Sequence, residues 1–227
     1  MKLKELIQCL IKKNELDLKA NPNDPYVLLN TGMIIEILGN YDEALTIYNR
    51  VVKLDPYSKE AFFRIGLINY KRSSYNIALE HFNKAINIDH NYLDALYYKG
   101  LLSVVLDQHL AAIELFDRVI SLDPFHKQSW NDKGVALIML NRPQAALSCF
   151  DFILSIDPSD KNALYQKGIA LEDMGMEEQA EACFAKANLY PDKIEEGIEE
   201  YEDKSLEKID DVTELEKFLR ANPKLKI

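Results

Sequence analysis

The chain has 227 residues, of which 48% are hydrophobic and 28% charged, the balance of an ordinary folded protein rather than a disordered one. Its formal net charge of −10 speaks against a general binder of phosphate backbones, which depends on clustered Lys and Arg. No run approaches the roughly 18 consecutive apolar residues of a membrane span, and the charged start (Lys2, Lys4, Glu5, Lys12, Lys13) lacks the apolar core of a signal peptide.

In chain order, the first segment places Leu3, Leu6, Ile7, Leu10 and Ile11 on one helical face. A lattice then begins. Glycines recur every 34 residues at Gly32, Gly66, Gly100, Gly134 and Gly168. Each is followed twelve residues later by alanine (Ala44, Ala78, Ala112, Ala146, Ala180) and four residues after that by an aromatic (Tyr48, Phe82, Phe116, Phe150, Phe184). Three columns in one register mean one supersecondary unit repeated five times.

Residues 127–160 show the unit best. Two amphipathic helices, about Ser129–Leu140 and Gln144–Ile156, flank a turn at Asn141-Arg142-Pro143. Pro143 sits in the first turn of the second helix, where a missing N–H costs nothing. Asp157-Pro158 closes the unit, because proline cannot continue a helix. Small Gly and Ala side chains are expected to let the paired helices approach, with the aromatic wedged between the pair and its neighbour. Turns between units carry Asp55-Pro56, Asp123-Pro124 and Asp157-Pro158, with Asp89-His90 at the third boundary. Turns within units carry Gly39-Asn40, Ser73-Ser74, Asp107-Gln108, Asn141-Arg142 and Gly175-Met176. After Asp192 the lattice is lost, and two short amphipathic helices are predicted, one around Ile194, Ile198 and Tyr201 and one over 213–221 with Leu215, Phe218 and Leu219.

This pattern resembles the tetratricopeptide repeat, W-x₂-L-G-x₂-Y, then A-x₃-F, then P. The Trp column reads Leu28, Phe62, Leu96, Trp130 and Leu164, and the Leu column departs as Thr31, Ile65, Lys99, Lys133 and Lys167. The three lysines are expected to lay their stems on apolar surface with the ammonium in water. The resemblance implies an all-α, right-handed superhelical array of antiparallel helix pairs, an α-solenoid with capping helices at both ends. Its divisions are 1–24 (N-terminal cap or incomplete repeat), 25–58, 59–92, 93–126, 127–160 and 161–192 (repeats), and 193–227 (C-terminal capping helices). The tail from Leu206 to Ile227 has a second reading, as a segment folded back into the groove.

In this family the first helix of each repeat lines the concave face. That places Tyr26, Leu29, Met33, Phe63, Leu67, Tyr70, Tyr97, Leu101, Asn131 and Tyr165 in a groove with an apolar, aromatic floor. Met33, Leu67 and Leu101 share a column that fits inter-repeat core as well as groove. An exposed apolar strip marks a partner site, here one suited to a helix or an extended peptide. The Lys, Asn and Arg clamp with which some family members hold chaperone tails is nearly missing, with only Asn30 and Arg64 in one of its columns.

No catalytic site, cofactor or metal is predicted. The histidines His81, His90, His109 and His126 fall in separate columns, without metal-ligand spacing, and no phosphate loop or nucleophile motif occurs. Cys9, Cys149 and Cys183 form neither a disulfide framework nor a zinc motif, which points to a reducing cytoplasm. The reading is a non-enzymatic scaffold whose partner is a protein or peptide, with neither nucleic acid nor membrane as partner. Self-assembly into a homo-oligomer is the alternative, ahead of single-stranded RNA binding by stacked aromatics.

Overall fold

The structure is a computed structural model that describes residues 3–190. The C-terminal helices expected over 193–227, and the alternative placement of that tail, lie outside the described residues. All eleven elements among the described residues are α-helices. They fall in two compact units divided after Ser74. The first holds α1 (Leu3–Ala20), α2 (Pro25–Ile37), α3 (Tyr41–Leu54) and α4 (Lys59–Lys71). The second holds α5 (Tyr75–Ile88), α6 (Leu93–Val105), α7 (His109–Leu122), α8 (Lys127–Met139), α9 (Pro143–Ile156), α10 (Lys161–Asp173) and α11 (Glu177–Leu189). Within each unit consecutive helices pack on one another, and in the second α8 also touches α6 and α10. The architecture is an α-solenoid of antiparallel helix pairs.

The helix starts are written in short polar side chains. Asp24 accepts from the Tyr26 and Val27 amides, Ser58 from Ala61 and Asp160 from Ala163, each satisfying an N–H that has no partner inside the helix. Pro143 opens α9 as expected.

The turns between helix pairs are held by aspartate. Asp55, Asp89, Asp123 and Asp157 each accept, through Oδ1, the amide two residues on, at Tyr57, Asn91, Phe125 and Ser159. This Asx turn is the common element of the boundaries. It explains why Asp89-His90 serves as well as the Asp-Pro pairs.

The turns inside the pairs share a different constraint. Gly39, Ser73, Asp107, Asn141 and Gly175 all have positive φ, between 56° and 83°. The amide after each donates back five residues, as from Asn40 to the Ile35 carbonyl and from Arg142 to Leu137. These are left-handed helix terminations. They require one residue in a conformation that costs a side chain such as serine about 1–2 kcal/mol.

The glycine and aromatic columns meet directly. The second helix's ring lies over the first helix's glycine at Gly32–Tyr48, Gly100–Phe116, Gly134–Phe150 and Gly168–Phe184. A Cβ on Gly134 would stand 2.5 Å from Phe150 Cζ, and one on Gly100 would stand 2.6 Å from Phe116 Cε1. The glycine is thus a socket for the ring of its own pair, and the ring also meets the next pair, as the expected wedge would: Tyr48 packs with Ile65 and Ile68 of α4 and Phe150 with Ala170 of α10. The alanines let the backbones close, and Ala44, Ala112 and Ala146 are wholly buried. Around these contacts Met33, Ile34, Tyr48, Ile65 and Ile68 form one core in the first unit. Leu137, Cys149, Phe150 and Ala170 form another in the second.

Two of the three column lysines depart from expectation. Lys133 and Lys167 do not send their ammonium groups to water alone but pair with Asp117 and Asp151 on the second helix of the preceding pair. Lys99 has no such pairing; burial, with Arg118 nearby, lowers its pKa.

Gly134→Ala is expected to lower stability by about 1–3 kcal/mol, the usual penalty for overpacking a filled site. Chemical unfolding followed by far-ultraviolet circular dichroism measures it. Ser73→Gly removes left-handed strain at an otherwise equivalent turn, and a gain of about 1 kcal/mol is expected in the same assay.

Candidate partner-binding surface

The first helices of the second unit's pairs, α6, α8 and α10, lie side by side and carry four of the sequence-predicted groove residues. Tyr97 and Leu101 on α6 and Asn131 on α8 are half-buried. Tyr165 on α10 is 53% exposed, its ring 5.3 Å from that of Phe184.

A chain of hydrogen bonds crosses the three helices. The Tyr97 hydroxyl donates to Asp132 Oδ2 at 2.8 Å. Asn131 Nδ2 donates to Asp132 Oδ1 at 3.1 Å, and Asn162 Nδ2 donates to Asn131 Oδ1 at 2.9 Å. Tyr97 and Asn131 are therefore held in place by the chain's own hydrogen bonds. Burial raises the Asp132 pKa, opposed by the donors Tyr97 and Asn131 and by the nearby His126.

His126 has a role that the sequence did not reveal. Its ring lies edge-on to Tyr97, with centroids 5.0 Å apart, and its Nδ1 accepts the Ser129 amide at 3.2 Å as the N-cap of α8. Its column neighbours at this boundary are Ser58, Tyr92 and Asp160. Alignment with the capping Ser58 and Asp160 was the available signal. Burial lowers its pKa, against the pull of Asp123, Asp94 and Asp132.

In the first unit the predicted residues separate by depth. Tyr26 is exposed, and Leu29 and Tyr70 are half-buried. Met33, Phe63 and Leu67 are buried at 3%, 0% and 4% exposure, and Met33 belongs to the core with Ile34 and Tyr48. Tyr26, Leu29 and Tyr70 are therefore open to solvent to differing degrees, while Met33, Phe63 and Leu67 are not.

The first unit also carries an ionic cluster that sequence reasoning missed. Glu36, buried, accepts from the Tyr48 hydroxyl at 2.9 Å and from Lys71 Nζ at 3.3 Å, with Arg64 Nη1 at 3.6 Å. Arg64 Nε donates to Glu60 at 2.6 Å. Tyr48 is the one hydroxyl in a column otherwise filled by phenylalanine, and that substitution was its sequence trace.

Little here offers reactive chemistry. Burial pushes the Cys149 thiol up to about 11, which holds it protonated and inert near neutral pH. Among the described residues, no group of three His, Cys, Asp or Glu side chains is placed to hold a metal ion. No helix among them is long and apolar enough to cross a membrane.

Three family models match the sequence. Two are described as tetratricopeptide repeat, over residues 97–161 and 162–190. The third is described as anaphase-promoting complex, cyclosome, subunit 3, over residues 38–119. No curated protein matches the sequence. Among solved structures, MamA is 25% identical, with 70% of this chain and 92% of that one covered and a TM-score of 0.66. YrrB, described as a TPR protein with an unusual peptide-binding site, is 23% identical over 79% of this chain and 93% of its own, with a TM-score of 0.69. A MamA fragment from Desulfovibrio magneticus RS-1 is 17% identical over 73% and 93%, also at 0.69.

The His126 geometry predicts a pH dependence. Because its folded-state pKa is depressed, its contribution to stability is present above about pH 6.5, the ordinary histidine value, and is lost as the pH falls through the lower folded value. Protonation also removes the Nδ1 acceptor of the cap. His126→Asn keeps an acceptor that does not titrate. It is expected to flatten the fall of the thermal midpoint on mild acidification, by an amount equivalent to about 1 kcal/mol.

Proposed function

Because the chain belongs to the tetratricopeptide-repeat family, we propose that it is a non-catalytic scaffold that takes a helix or extended peptide of a partner protein on its first helices. The observation that carries the reading is the bonded series Tyr97–Asp132–Asn131–Asn162, flanked by half-buried Leu101 and exposed Tyr165. Apolar and aromatic surface supplies the driving force for docking. The fixed amides and hydroxyl set its register. Tyr26, Leu29 and Tyr70 offer the same kind of surface in the first unit. The three unpaired cysteines suit a reducing cytoplasm. Single-stranded RNA is a poorer ligand, since a net charge of −10 opposes a phosphate backbone.

The partner is to be captured from the native cell by crosslinking and identified by mass spectrometry, and its affinity then measured by calorimetry. Tyr165→Ala is the cleanest probe, because an exposed side chain can be truncated without opening the core. A loss of roughly tenfold or more is expected, as for an aromatic anchor, with the thermal midpoint unchanged. Tyr97→Ala is expected to weaken binding as well, and additionally to leave Asp132 short of a donor. Unchanged affinity in both variants would move the site away from these helices.

A further inference from the structure

On the edge formed by the turns between pairs, one column of the second helices is basic at Arg50, Lys84, Arg118 and Lys186 but not at Phe152. In the first and third repeats its arginine reaches back to the preceding turn. Arg50 donates to the Pro22 carbonyl and to Asn23, and Arg118 donates to the His90 carbonyl. One repeat after Arg118 the same column holds Phe152. The carbonyl equivalent to that of His90 belongs to Pro124, and here the indole N–H of Trp130 donates to it at 2.9 Å. The turn stays satisfied, and the second helix is released from holding it.

An aromatic surface takes the place of the guanidinium. Phe152 stacks on Trp130 with centroids 4.4 Å apart, and Phe125 lies 6.5 Å from Phe152. Phe125 is 72% exposed. Ile156, one turn beyond Phe152 on α9 and therefore on the same face, is exposed as well. The equivalents of Phe125 at the other boundaries between repeats are Tyr57, Asn91 and Ser159, so the turn itself does not require an aromatic. Trp130 and Phe152 are half-buried, so the surface they support is the exposed Phe125 and Ile156; apolar surface of this kind that the fold does not need marks an interaction site.

The charges beside the cluster say what would sit on it. Lys133, which lies over the Trp130 ring, is tied to Asp117, and Lys127 is tied to Asp160. Asp123, two residues before Phe125, accepts the Phe125 amide and forms no salt bridge. Among the described residues on the rim beside the cluster, these two lysines are already paired with carboxylates and Asp123 is not paired with a cation. A second copy of this chain would set two such rims, and two charges of −10, against each other. An anionic lipid surface would be repelled in the same way.

We propose that Phe125, Trp130 and Phe152 form a docking site, separate from the inner helices, for a partner-protein segment that presents an apolar or aromatic side chain next to lysine or arginine. The apolar group covers the exposed ring of Phe125, and the cation answers Asp123.

The test uses the full chain and two immobilised peptide arrays. One places Phe, Trp or Leu between Lys or Arg residues, and the other carries Glu in place of each Lys or Arg. The wild-type chain is expected to bind the basic array and not the acidic one. Phe152→Arg and Phe125→Ser introduce residues that other repeats already carry at these positions, so both variants are expected to fold, with unchanged circular dichroism. Both should lose basic-array binding by roughly tenfold, whereas Tyr165→Ala should retain it. The proposal is overturned by a wild-type chain that binds neither array or both alike, by variants that bind as wild type does, or by self-association in sedimentation that Phe152→Arg abolishes.

Discussion

Four helix pairs, α2–α3, α6–α7, α8–α9 and α10–α11, are each closed by an aromatic ring seated on a glycine of the facing helix. The ring tip occupies the space that any Cβ would fill, so the distance between the two helices is set at a single point by two side chains sixteen residues apart. Wholly buried alanines beside the ring keep the backbones close around that point. Because this contact lies within one pair, each of these pairs satisfies it from its own sequence. Contacts between pairs are then free to use whatever apolar side chains the neighbours supply. The columns record that division of labour. Glycine, alanine and the aromatic hold through every repeat, whereas the column that begins with Thr31 passes through Ile65 to three lysines.

That asymmetry also explains what the sequence could disclose. Helix number, pairing and period follow from local rules, and they were legible from the glycine and aromatic spacing together with the turn residues. The reason for the turn residues was only half legible. Proline caught the eye at three boundaries, yet the carboxylate before it does the holding, as Asp89 demonstrates without a proline. The left-handed residue inside each pair was hidden because Gly, Ser, Asp and Asn share no side-chain chemistry. They share only tolerance of, or subjection to, one backbone conformation.

Depth was the least legible property. Met33, Leu67 and Leu101 occupy one column, yet Met33 and Leu67 are buried and Leu101 is half-exposed. A period identifies the face of a helix on which a side chain lies. What covers that face depends on the volumes of side chains distant in sequence, which no column reports. The same holds for His126, whose role follows from the Ser129 amide it caps and from the Tyr97 ring beside it, not from any histidine motif.

In an array of near-identical units, departures from the rule are informative, and their depth decides how to read them. Tyr48 departs from phenylalanine at a buried position, and its added hydroxyl is consumed by Glu36. Without that donor a buried carboxylate would lose a partner and incur a desolvation cost, so this departure belongs to the core. Phe152 departs from arginine on the surface, where removing the guanidinium leaves no internal debt because Trp130 supplies the turn carbonyl's donor. Phe152 itself is half-buried against Trp130, but selection for folding alone has no use for the exposed Phe125 beside it, since solvated apolar surface adds nothing to stability and invites aggregation. A buried break that completes a hydrogen bond is explained by the fold; a half-buried one that completes none and carries exposed apolar neighbours calls for something outside the chain.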